Sequence, residues 1–595
     1  MKKKLLYLII SLFCLTACEE ALVAIPDSRI NDYALYDAQG GFHRLSTYND
    51  SKAIVLFVQG NGCPIVRNAL SDFHKIVDDY QPKDVTFFMI NSNMQDSRNT
   101  IAKEASDFNL KVPVLHDATQ LIADALDISI TAEAIILDPT TREIIFRGPL
   151  NNRLDYETQK SKPTETYLRD ALDAILINQI PVSKQEVTRG CRVTRRHTIE
   201  KDTLTFTKDI APILTNHCVR CHVDGGVAPW SMTDYDKIVG WSAMIEQVIL
   251  SKRMPPWKAD PTIGTFKNTF EIAEEDRRKL VRWIKNGMSY GEGNDPLKAL
   301  APKDALVLET TMVPDTTIVL KKEIIPANGF INYRHQKIKL DFPEGKWLAG
   351  VTIEAGNNKV VHHSTLSSSI RPKLAVDRPE RPWIDNLIAV VLSGASNTII
   401  YPESSGVYIA PDNTLIVQTH YTTTGKKEED ITKIHLYYHK EKPKKQYFPL
   451  AISTYDFKIK PFSKNTQIVA QDKITEDIFV HSVLPHMHYR GKSMKLTATK
   501  PDGEIIDLIS VPDYNFNWQL LYTYEEPLFL PKGSIIKAVG FYDNSFQNPL
   551  NPDPTKELSF GYQSTDEMFN TSVNYTIADE IPVSSTDTIN NTSYK

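Results

Sequence analysis

The sequence predicts a multidomain protein with an α/β domain first, an all-α segment second and an all-β pair of stacked sandwiches last. The chain has 595 residues, enough for about four domains. Strand and helix patterns alternate as far as residue 177, and short strands separated by turn sequences fill the region after residue 305. The content of 41% apolar and 24% charged residues excludes a disordered or coiled-coil protein.

The charge balance argues against one class of partner. There are 68 Lys and Arg residues against 73 Asp and Glu residues, which gives a net charge of −5. Proteins that bind nucleic acid usually carry a basic excess on the binding domain. We therefore expect no nucleic-acid partner.

The N-terminus has the pattern of an export signal with a lipid-attachment site. Three lysines at positions 2–4 precede an apolar run at 5–15, and Leu15-Thr16-Ala17-Cys18 then resembles a bacterial lipoprotein box. This predicts removal of residues 1–17, a lipid on Cys18, and a location in the cell envelope outside the cytoplasm, anchored to the membrane. The alternative is a short anchor helix that is retained.

The α/β pattern covers residues 25–185. Strands are expected at 53–58, 85–91, 112–115, 133–137 and 143–146, and the last helix at 164–177. Cys63 follows the first of these strands and opens the next helix. Because a helix N-terminus lowers the pKa of a thiol, this position favours a reactive thiolate.

The run Gly62-Cys63-Pro64 after a strand resembles the redoxin branch of the thioredoxin superfamily, which is related to peroxiredoxins. The resemblance implies a thioredoxin-like fold and a redox role for Cys63. Val66 stands where a Cys-x-x-Cys pair would have its second cysteine, and Thr131-Ala132-Glu133 stands where a proline would precede the late strand. Cys191 is then either a distant resolving partner or the other half of a structural disulfide with Cys63.

A second motif, Cys-Val-Arg-Cys-His, places Cys218, Cys221 and His222 on one face of a helical turn. This spacing is the attachment signature of a covalent c-type haem, with two thioethers and an imidazole ligand. A zinc site would need two further ligands at matching spacing, and none is evident nearby. A thioredoxin motif would need a preceding strand, whereas the amphipathic pattern of residues 206–217 predicts a helix.

Region 203–296 resembles the cytochrome c domains that are fused to secreted bacterial redox proteins. In that class a methionine beside prolines is the usual sixth ligand of the iron. The resemblance therefore implies Met254, because it precedes Pro255-Pro256. Met232, Met244 and Met288 are also in range, and core packing is the alternative role of each methionine.

Nine of the fifteen histidines lie from His335 onward, in a region whose strands predict two sandwiches, at 305–450 and 451–578. His486 and His488 are two residues apart, so a strand would place both on one face, as suits copper or zinc. His362 and His363 are adjacent and would point apart on a regular strand. Joint ligation by these two requires a bulge or a strand end.

The order Val-His-His at 361–363, Thr-His-Tyr at 419–421, His-Met-His at 486–488 and Asp-Glu-Met at 566–568 resembles the copper type II ascorbate-dependent monooxygenases, such as peptidylglycine α-hydroxylating and dopamine β-monooxygenase. The resemblance implies two copper ions. One would be held by His362, His363 and His420, and the other, where dioxygen is activated, by His486, His488 and Met568. Leu484 stands where that family has an arginine that binds the carboxylate of a peptide substrate, so a peptidylglycine substrate is not expected.

Together the resemblances imply a copper-dependent monooxygenase that hydroxylates a small-molecule substrate with O2. Electrons would pass through the haem from an ascorbate-like reductant or a redox protein. The catalytic residues would be Met568, His486, His488 and Cys63. The alternative is a non-hydroxylating copper and haem electron-transfer protein, or an envelope protein that handles thiols and peroxide. Residues 579–595, rich in Ser, Thr and Asn, predict a disordered tail.

Overall fold

The computed structural model describes residues 29–155, 158–181, 187–196, 203–224, 226–298, 300, 312–370, 373–378, 385–392 and 397–578. The predicted leader at 1–17, the lipid-attachment residue Cys18 and the predicted tail at 579–595 lie outside the described residues. None of the helices in this part of the chain is long and apolar enough to cross a membrane.

The N-terminal domain has a thioredoxin-like α/β fold, as the sequence predicts. Its strands are β1 (Ala34–Tyr36), β2 (Phe42–Arg44), β3 (Ala53–Gln59), β4 (Val85–Asn91), β5 (Val114–His116), β6 (Glu133–Leu137) and β7 (Ile144–Pro149). Its helices are α1 (Pro64–Tyr80), α2 (Arg98–Asp107), α3 (Leu121–Ala125) and α4 (Tyr167–Leu176). Five strands form one sheet in the order β5-β4-β3-β6-β7, with β3, β4 and β5 parallel and β6 and β7 antiparallel.

The central strand β3 is buried on both faces. Its side chains alternate between two cores, because successive residues of a strand point to opposite faces. Val55 and Phe57 pack in one core with Phe73 of α1. Ile54 and Leu56 pack in another core with the helical segment that follows the domain.

The helical segment at 203–298 differs from the separate all-α domain that the sequence predicts. A π-helical turn (Phe206–Ile210) is followed by four short helices, α5 (Ala211–His217), α6 (Tyr235–Gly240), α7 (Ser242–Leu250) and α8 (Glu274–Lys285). Helices are few, and the described apolar side chains are shared with both neighbouring domains. Phe206 and Trp283 belong to a core that also contains residues of the thioredoxin-like sheet, whereas Trp257 and Phe266 belong to the core of the second sandwich. An all-α domain with its own core is therefore not supported.

The C-terminal region is all-β, which confirms the predicted class. Its strands are β8 (Thr316–Val319), β9 (Glu323–Ile325), β10 (Arg334–Lys339), β11 (Lys346–Glu354), β12 (Val361–Ser368), β13 (Leu387–Leu392), β14 (Thr398–Ile400), β15 (Ser405–Ile409), β16 (Thr414–Tyr421), β17 (Glu428–Asp430), β18 (Lys433–Tyr438), β19 (Lys445–Thr454), β20 (Thr466–Lys473), β21 (Ile478–His486), β22 (Gly491–Thr499), β23 (Ile505–Val511), β24 (Tyr522–Leu530), β25 (Ile535–Tyr542) and β26 (Phe569–Ile577).

One large sheet runs through this whole region in the order β24-β21-β26-β19-β15-β11-β18-β8, with β14 also paired to β11. A four-stranded sheet, β10-β16-β12-β13, packs on the half that contains β11 and β18. A second four-stranded sheet, β20-β25-β22-β23, packs on the half that contains β19, β21 and β26. The two halves meet where β15 and β19 pair in parallel at Ser405–Lys445 and Gly406–Gln446.

The shared core gives a prediction about stability. Trp257 lies in the helical segment, but its ring packs 4.8 Å from Tyr522 and 5.2 Å from Phe270, measured between ring centroids. The change Trp257→Ala should lower the stability of the second sandwich by about 3–5 kcal/mol, because it leaves a cavity in that core. Thermal unfolding followed by the β-sheet signal in circular dichroism should show a lower Tm.

Phe546→Ala is the matched control, because this aromatic side chain is 72% exposed and its loss should change stability by no more than about 0.5 kcal/mol. An unchanged β-sheet transition in Trp257→Ala would show that the helical segment and the sandwich do not share a core.

Candidate metal centre and thiol site

The first histidine cluster is built by the pairing of β12 with β16. His363 lies directly opposite His420 in this antiparallel pair, and the register shifts at a bulge between Val361 and His363. The bulge lets the adjacent His362 turn its imidazole toward the same site as His363. The Nδ1 atoms of His362 and His363 are 2.9 Å apart, and the ligand atoms of all three histidines lie within 4.8 Å of one another.

The nitrogen atoms of this cluster fit a metal ion. The Nε2 of His362 and the Nδ1 of His420 are buried and have no hydrogen-bond partner among the described residues. Burial lowers the pKa of His362 to about 4 and that of His420 to about 3, and it holds the pKa of His363 well below its usual value. The three imidazoles are therefore neutral at pH 7, which is the form that binds metals.

The second histidine pair lies at the end of β21. This strand stops at His486, so the prediction that one regular strand presents both histidines is wrong, because His488 lies in the turn beyond it. The ring centroids are nevertheless 5.2 Å apart. His486 Nδ1 contacts Gln519 Oε1 at 2.7 Å, and His488 Nδ1 contacts the Asp566 carbonyl at 3.3 Å. With each Nδ1 engaged, Nε2 is the nitrogen left for a metal ion.

A buried carboxyl group fixes the turn that carries His488. Glu567 Oε2 accepts the His488 backbone N–H at 3.1 Å, and Oε1 accepts the Arg490 backbone N–H at 2.7 Å. Burial raises the pKa of Glu567 to about 8. Because Met568 is the next residue, this side chain ties the turn of His488 to the segment that carries the thioether.

One cavity joins the two sets of predicted ligands. It has a volume of about 120 Å³, and its lining includes Met568, His486, His488 and also His363 of the first cluster. The ring of Phe516 lies between the sets, with centroid distances of 5.7 Å to His420 and 5.9 Å to His488. The structure thus places His363, His486, His488 and Met568 around one cavity, and His362 and His420 group with His363 beside it.

The sequence analysis missed Phe516 and Gln519, which lie in the loop between β23 and β24. Neither stands in a recognisable motif. Phe516 is a single aromatic residue and Gln519 a single amide in an irregular segment, so only the folded chain reveals that they contact the histidines.

In the thioredoxin-like domain, Cys63 and Cys191 meet. Cys63 is the N-cap of α1, and its Sγ lies 2.7 Å from Cys191 Sγ and 3.1 Å from Thr131 Oγ1. Burial acts to raise the pKa of Cys63, but hydrogen bonds from Cys191, Thr131 and backbone N–H groups outweigh it, so the pKa is lowered. Burial and the neighbouring Cys63 raise the pKa of Cys191 to about 11. Cys63 is therefore the more nucleophilic thiol of the pair.

The segment that carries Cys191 lies along the loop before β6. Thr131 N–H donates to the Cys191 carbonyl at 2.9 Å, and Val193 N–H donates to the Ser129 carbonyl at 2.9 Å. Ala132, at the position where a proline was expected, donates its N–H to the Val58 carbonyl at 2.8 Å. A proline has no N–H and would lose this bond.

The predicted haem residues follow α5. The His222 N–H donates to the Cys218 carbonyl at 3.0 Å, so the motif forms one helical turn. His222 Nδ1 lies 3.0 Å from the Trp230 carbonyl, which leaves Nε2 for an iron ligand. Both cysteines of the motif are partly buried.

Of the four methionines in range of the motif, Met232 is buried in the core and Met244 is 44% exposed. Met254 is half-buried in the loop after α7, and its N–H donates to the Val248 carbonyl. Met288 packs against the same core as Met232. Met254 as the sixth ligand stays a prediction.

Comparison with known families defines the class of the N-terminal domain. Residues 26–146 match the model of the AhpC/TSA family. The match supports a thioredoxin-like redoxin domain in this part of the chain and suggests an oxidoreductase activity, as a peroxidase or on thiols and disulfides. No curated protein matches the chain.

Particular solved structures are similar to about a quarter of the chain. A hypothetical protein from Sinorhizobium meliloti 1021 is 24% identical, over 28% of this chain and 93% of that chain, with a TM-score of 0.27. An uncharacterized conserved protein from Geobacillus kaustophilus is 29% identical, over 28% and 90%, with a TM-score of 0.26. A peroxidoxin from Mycobacterium tuberculosis is 16% identical, over 25% and 96%, with a TM-score of 0.21.

The thiol geometry predicts a disulfide between Cys63 and Cys191. Mild oxidation of the purified protein should join them, because the lowered pKa of Cys63 supplies the thiolate and Cys191 is in contact with it. Peptide mass mapping without reductant should recover the linked pair. In Cys191→Ser, Cys63 should stay open to alkylation after the same treatment. Recovery of both thiols unlinked in the oxidised wild-type protein would contradict the assignment.

Proposed function

We propose that this chain is an extracytoplasmic oxidoreductase whose β-region hydroxylates a small-molecule substrate at a two-copper centre, with electrons passed through a covalent c-type haem. The observation that carries the proposal is that six residues from four separate segments lie in or beside one cavity, which four of them line while the other two group with His363. The six residues are His362, His363, His420, His486, His488 and Met568.

The donor atoms suit copper. His362, His363 and His420 would hold one ion through three imidazoles, which suits a copper that only relays electrons. His486, His488 and Met568 would hold the other, and a soft thioether beside imidazoles stabilises Cu(I). When bound, the copper pair would supply reductive activation of dioxygen, so that one oxygen atom enters a C–H bond and the other leaves as water, at the cost of two electrons and two protons.

The protein side chains prepare this site before any metal enters. Gln519 and the Asp566 carbonyl set the orientation of the two imidazoles in the second set. Glu567 fixes the backbone of His488. The buried ring of Phe516 packs against the rings of His362 and His420.

The donor set of the helical segment suits a c-type haem. Cys218 and Cys221 would form the thioether bonds and His222 would provide an axial nitrogen, with Met254 proposed on the other side. When bound, this haem would supply a one-electron store. The Cys-x-x-Cys-His motif would place it beside the second sandwich, because Arg220 lies over the Phe270 ring at 5.1 Å.

A packed aromatic path leads from the haem motif toward the second histidine pair. Phe270 contacts Trp257, and Trp257 contacts Tyr522. Tyr522 pairs with Val483 in β21, three residues before His486. Phe516 belongs to the same core and its ring centroid lies 5.7 Å from that of His420, so the path supports the proposed supply of electrons from the haem to the first copper.

A second candidate function belongs to the redoxin domain. The contact between Cys63 and Cys191, together with the AhpC/TSA match, favours reduction of disulfides or peroxides at Cys63. In this alternative the copper and haem sites serve electron transfer without hydroxylation. In either case we propose a lipid on Cys18 and a place in the cell envelope.

Metal analysis with an optical spectrum tests the proposed cofactors. The purified holoprotein should contain two copper ions and one covalent haem per chain. Met568→Leu should abolish oxygen consumption with ascorbate and a metabolite panel while copper remains bound, because only the thioether is lost. Met94→Leu, at a 56% exposed position in the redoxin domain, is the control and should consume oxygen as the wild type does.

Oxygen uptake that persists unchanged in Met568→Leu would refute hydroxylation at this site. A wild-type holoprotein that takes up no oxygen with any metabolite would favour the electron-transfer alternative.

Stopped-flow spectroscopy tests the electron supply. The anaerobically reduced holoprotein is mixed with oxygen and a metabolite that it hydroxylates. The haem should then be oxidised at the rate of oxygen consumption. In His420→Ala, which removes one ligand of the proposed relay copper, this oxidation should slow by at least about 100-fold, as expected when about 3 kcal/mol of a required step is lost. If the haem stays reduced while copper-dependent turnover proceeds on ascorbate alone, the haem does not supply the electrons.

A further inference from the structure

Two exposed phenylalanines meet at one end of the second sandwich. β20 begins at Thr466 and β25 ends at Tyr542, and these two residues are paired directly. Phe462 lies four residues before this pair and Phe546 four residues after it, so both rings come to the same end. Their centroids are 5.3 Å apart, although the residues are 49% and 72% exposed. Two exposed rings in contact form an apolar patch, unlike single apolar residues scattered over a surface.

The loops that carry the two rings are held together by one side chain. Asn544 is fully buried, and its backbone N–H donates to the Ser463 carbonyl at 2.7 Å. Its Nδ2 donates to the carbonyls of Lys460 at 3.0 Å and Lys556 at 2.9 Å. The two rings are therefore presented to solvent by a hydrogen-bonded backbone.

The backbone of Phe462 is strained. Its φ is 59°, in the left-handed region that bulky residues rarely adopt. The N–H of Phe462 donates to the Pro554 carbonyl at 3.1 Å, which holds the backbone in this conformation. The ring gains little burial in return, because about half of the residue stays exposed. A strained backbone that presents an aromatic ring to solvent indicates a function for that ring.

The aromatic patch lies beside one end of the thioredoxin-like sheet. Lys464, two residues after Phe462, pairs with Asp50 of the redoxin domain at 2.5 Å. Asp50 lies three residues before β3 begins, so the contact is at the end of the sheet where β3 starts. Cys63 follows the opposite end of β3, and the patch is therefore on the side of the domain away from the thiol pair.

The start of the described chain lies at this same end of the sheet. β6 is antiparallel to β3 and ends at Leu137, next to Ile54, which pairs with it. The turn after β6 carries Arg142, whose carbonyl accepts the Ile30 N–H at 3.1 Å. Cys18 lies twelve positions before Ile30. Because an extended chain spans at most about 3.6 Å per residue, a lipid on Cys18 would hold the membrane within about 40 Å of this end.

The charges around the patch are largely paired. Lys464 is engaged with Asp50, and Lys458 with Glu557 at 2.9 Å. Electrostatic attraction to a charged partner is therefore weak, and burial of the rings would supply most of the favourable free energy of a contact. Insertion of aromatic side chains into the headgroup boundary of a membrane has this character. The nearby start of the chain favours a membrane over a protein partner.

We propose that Phe462 and Phe546 insert into the surface of the membrane to which the chain is tethered. This second contact fixes the orientation of the protein, with the Cys63 end of the redoxin domain facing away from the lipid. The inference rests on the lipid that we propose on Cys18, and it is independent of the proposed copper and haem chemistry.

Fluorescence quenching tests the contact. The lipidated full chain is bound to phosphatidylcholine vesicles that contain a lipid with a nitroxide in its headgroup. A bimane label on Phe546→Cys, located by peptide mass mapping, should lose emission by about twofold or more, since inserted side chains lie within about 5–10 Å of the headgroup boundary.

Phe529→Cys is the matched control, because Phe529 is 45% exposed and its ring lies 5.5 Å from that of Phe479. This second pair lies at the other end of the sandwich, where β21 begins, and its label should keep its emission. Equal quenching of the two labels would overturn the proposal, because the protein would then have no fixed orientation.

A second variant and a change of salt test the cause of insertion. Phe462→Ser, added to Phe546→Cys, should reduce quenching to the level of the control, because half of the patch is lost. A salt concentration of about 1 M should leave the quenching unchanged, since it screens charges and not apolar contacts. If the label on Phe546→Cys is shielded from aqueous iodide without vesicles, the patch is a protein contact and the membrane proposal fails.

Vesicle flotation and mass spectrometry distinguish this inference from the proposed lipid. A chain that floats with the vesicles while the label on Phe546→Cys stays unquenched would refute the membrane contact and leave the lipid on Cys18 standing. A chain without a lipid whose label is quenched would refute the lipid and leave the contact standing.

Discussion

The β-bulge between Val361 and His363 is the constraint on which the candidate metal centre depends. In a regular strand two adjacent side chains point to opposite faces of the sheet, so one of two neighbouring histidines would be lost to the site. The bulge inserts an extra residue and turns His362 back toward His363 and His420. The local backbone therefore decides whether three ligands or two face the same point.

Buried polar atoms without hydrogen bonds show that this arrangement costs free energy. Among the residues that the structure describes, His362 Nε2, His420 Nδ1 and Asn570 Oδ1 are buried without hydrogen-bond partners, although most buried polar groups in folded proteins are paired. Each such atom costs about 1–3 kcal/mol, and a stable fold keeps three of them near one cavity only if something else compensates. Local violations of this kind are expected at functional sites, where a ligand completes the bonding.

Much of this fold can be predicted from the sequence, because the main signals are local. The alternation of Thr414–Tyr421 and the helix that begins after Cys63 depend on periodicity and on neighbouring residues, and both are present as expected. Cys191 and Cys63 are in contact although they are 128 positions apart in the sequence. Nothing in the sequence shows whether Cys191 contacts Cys63 or lies elsewhere in the fold. The pattern of the helical segment shows that one face is buried, but not that its apolar residues are divided between two neighbouring domains.

For the metal ligands too, some features are visible in the sequence and others depend on long-range contacts. The residue types and their order are visible in the sequence, whereas the end of β21 at His486 and the clamp by Glu567 on His488 are products of long-range packing. Phe516 contacts both ligand sets from a loop without a pattern of its own. Tertiary contacts, rather than the spacing of residues in the sequence, determine which side chains of such a loop contact the metal ligands.

The parallel pair of β15 and β19 makes the two sandwiches one continuous sheet, and this has a consequence for how such a chain can be rearranged. A break near residue 442 would leave a bare strand edge on each half, with unpaired N–H and C=O groups that readily join other chains. Neither half can therefore be moved between genes as an independent unit without a new way of covering that edge. Gain or loss of the whole β-region, by contrast, leaves the sheet intact, and this makes the complete pair of sandwiches the smallest piece that recombination can exchange safely.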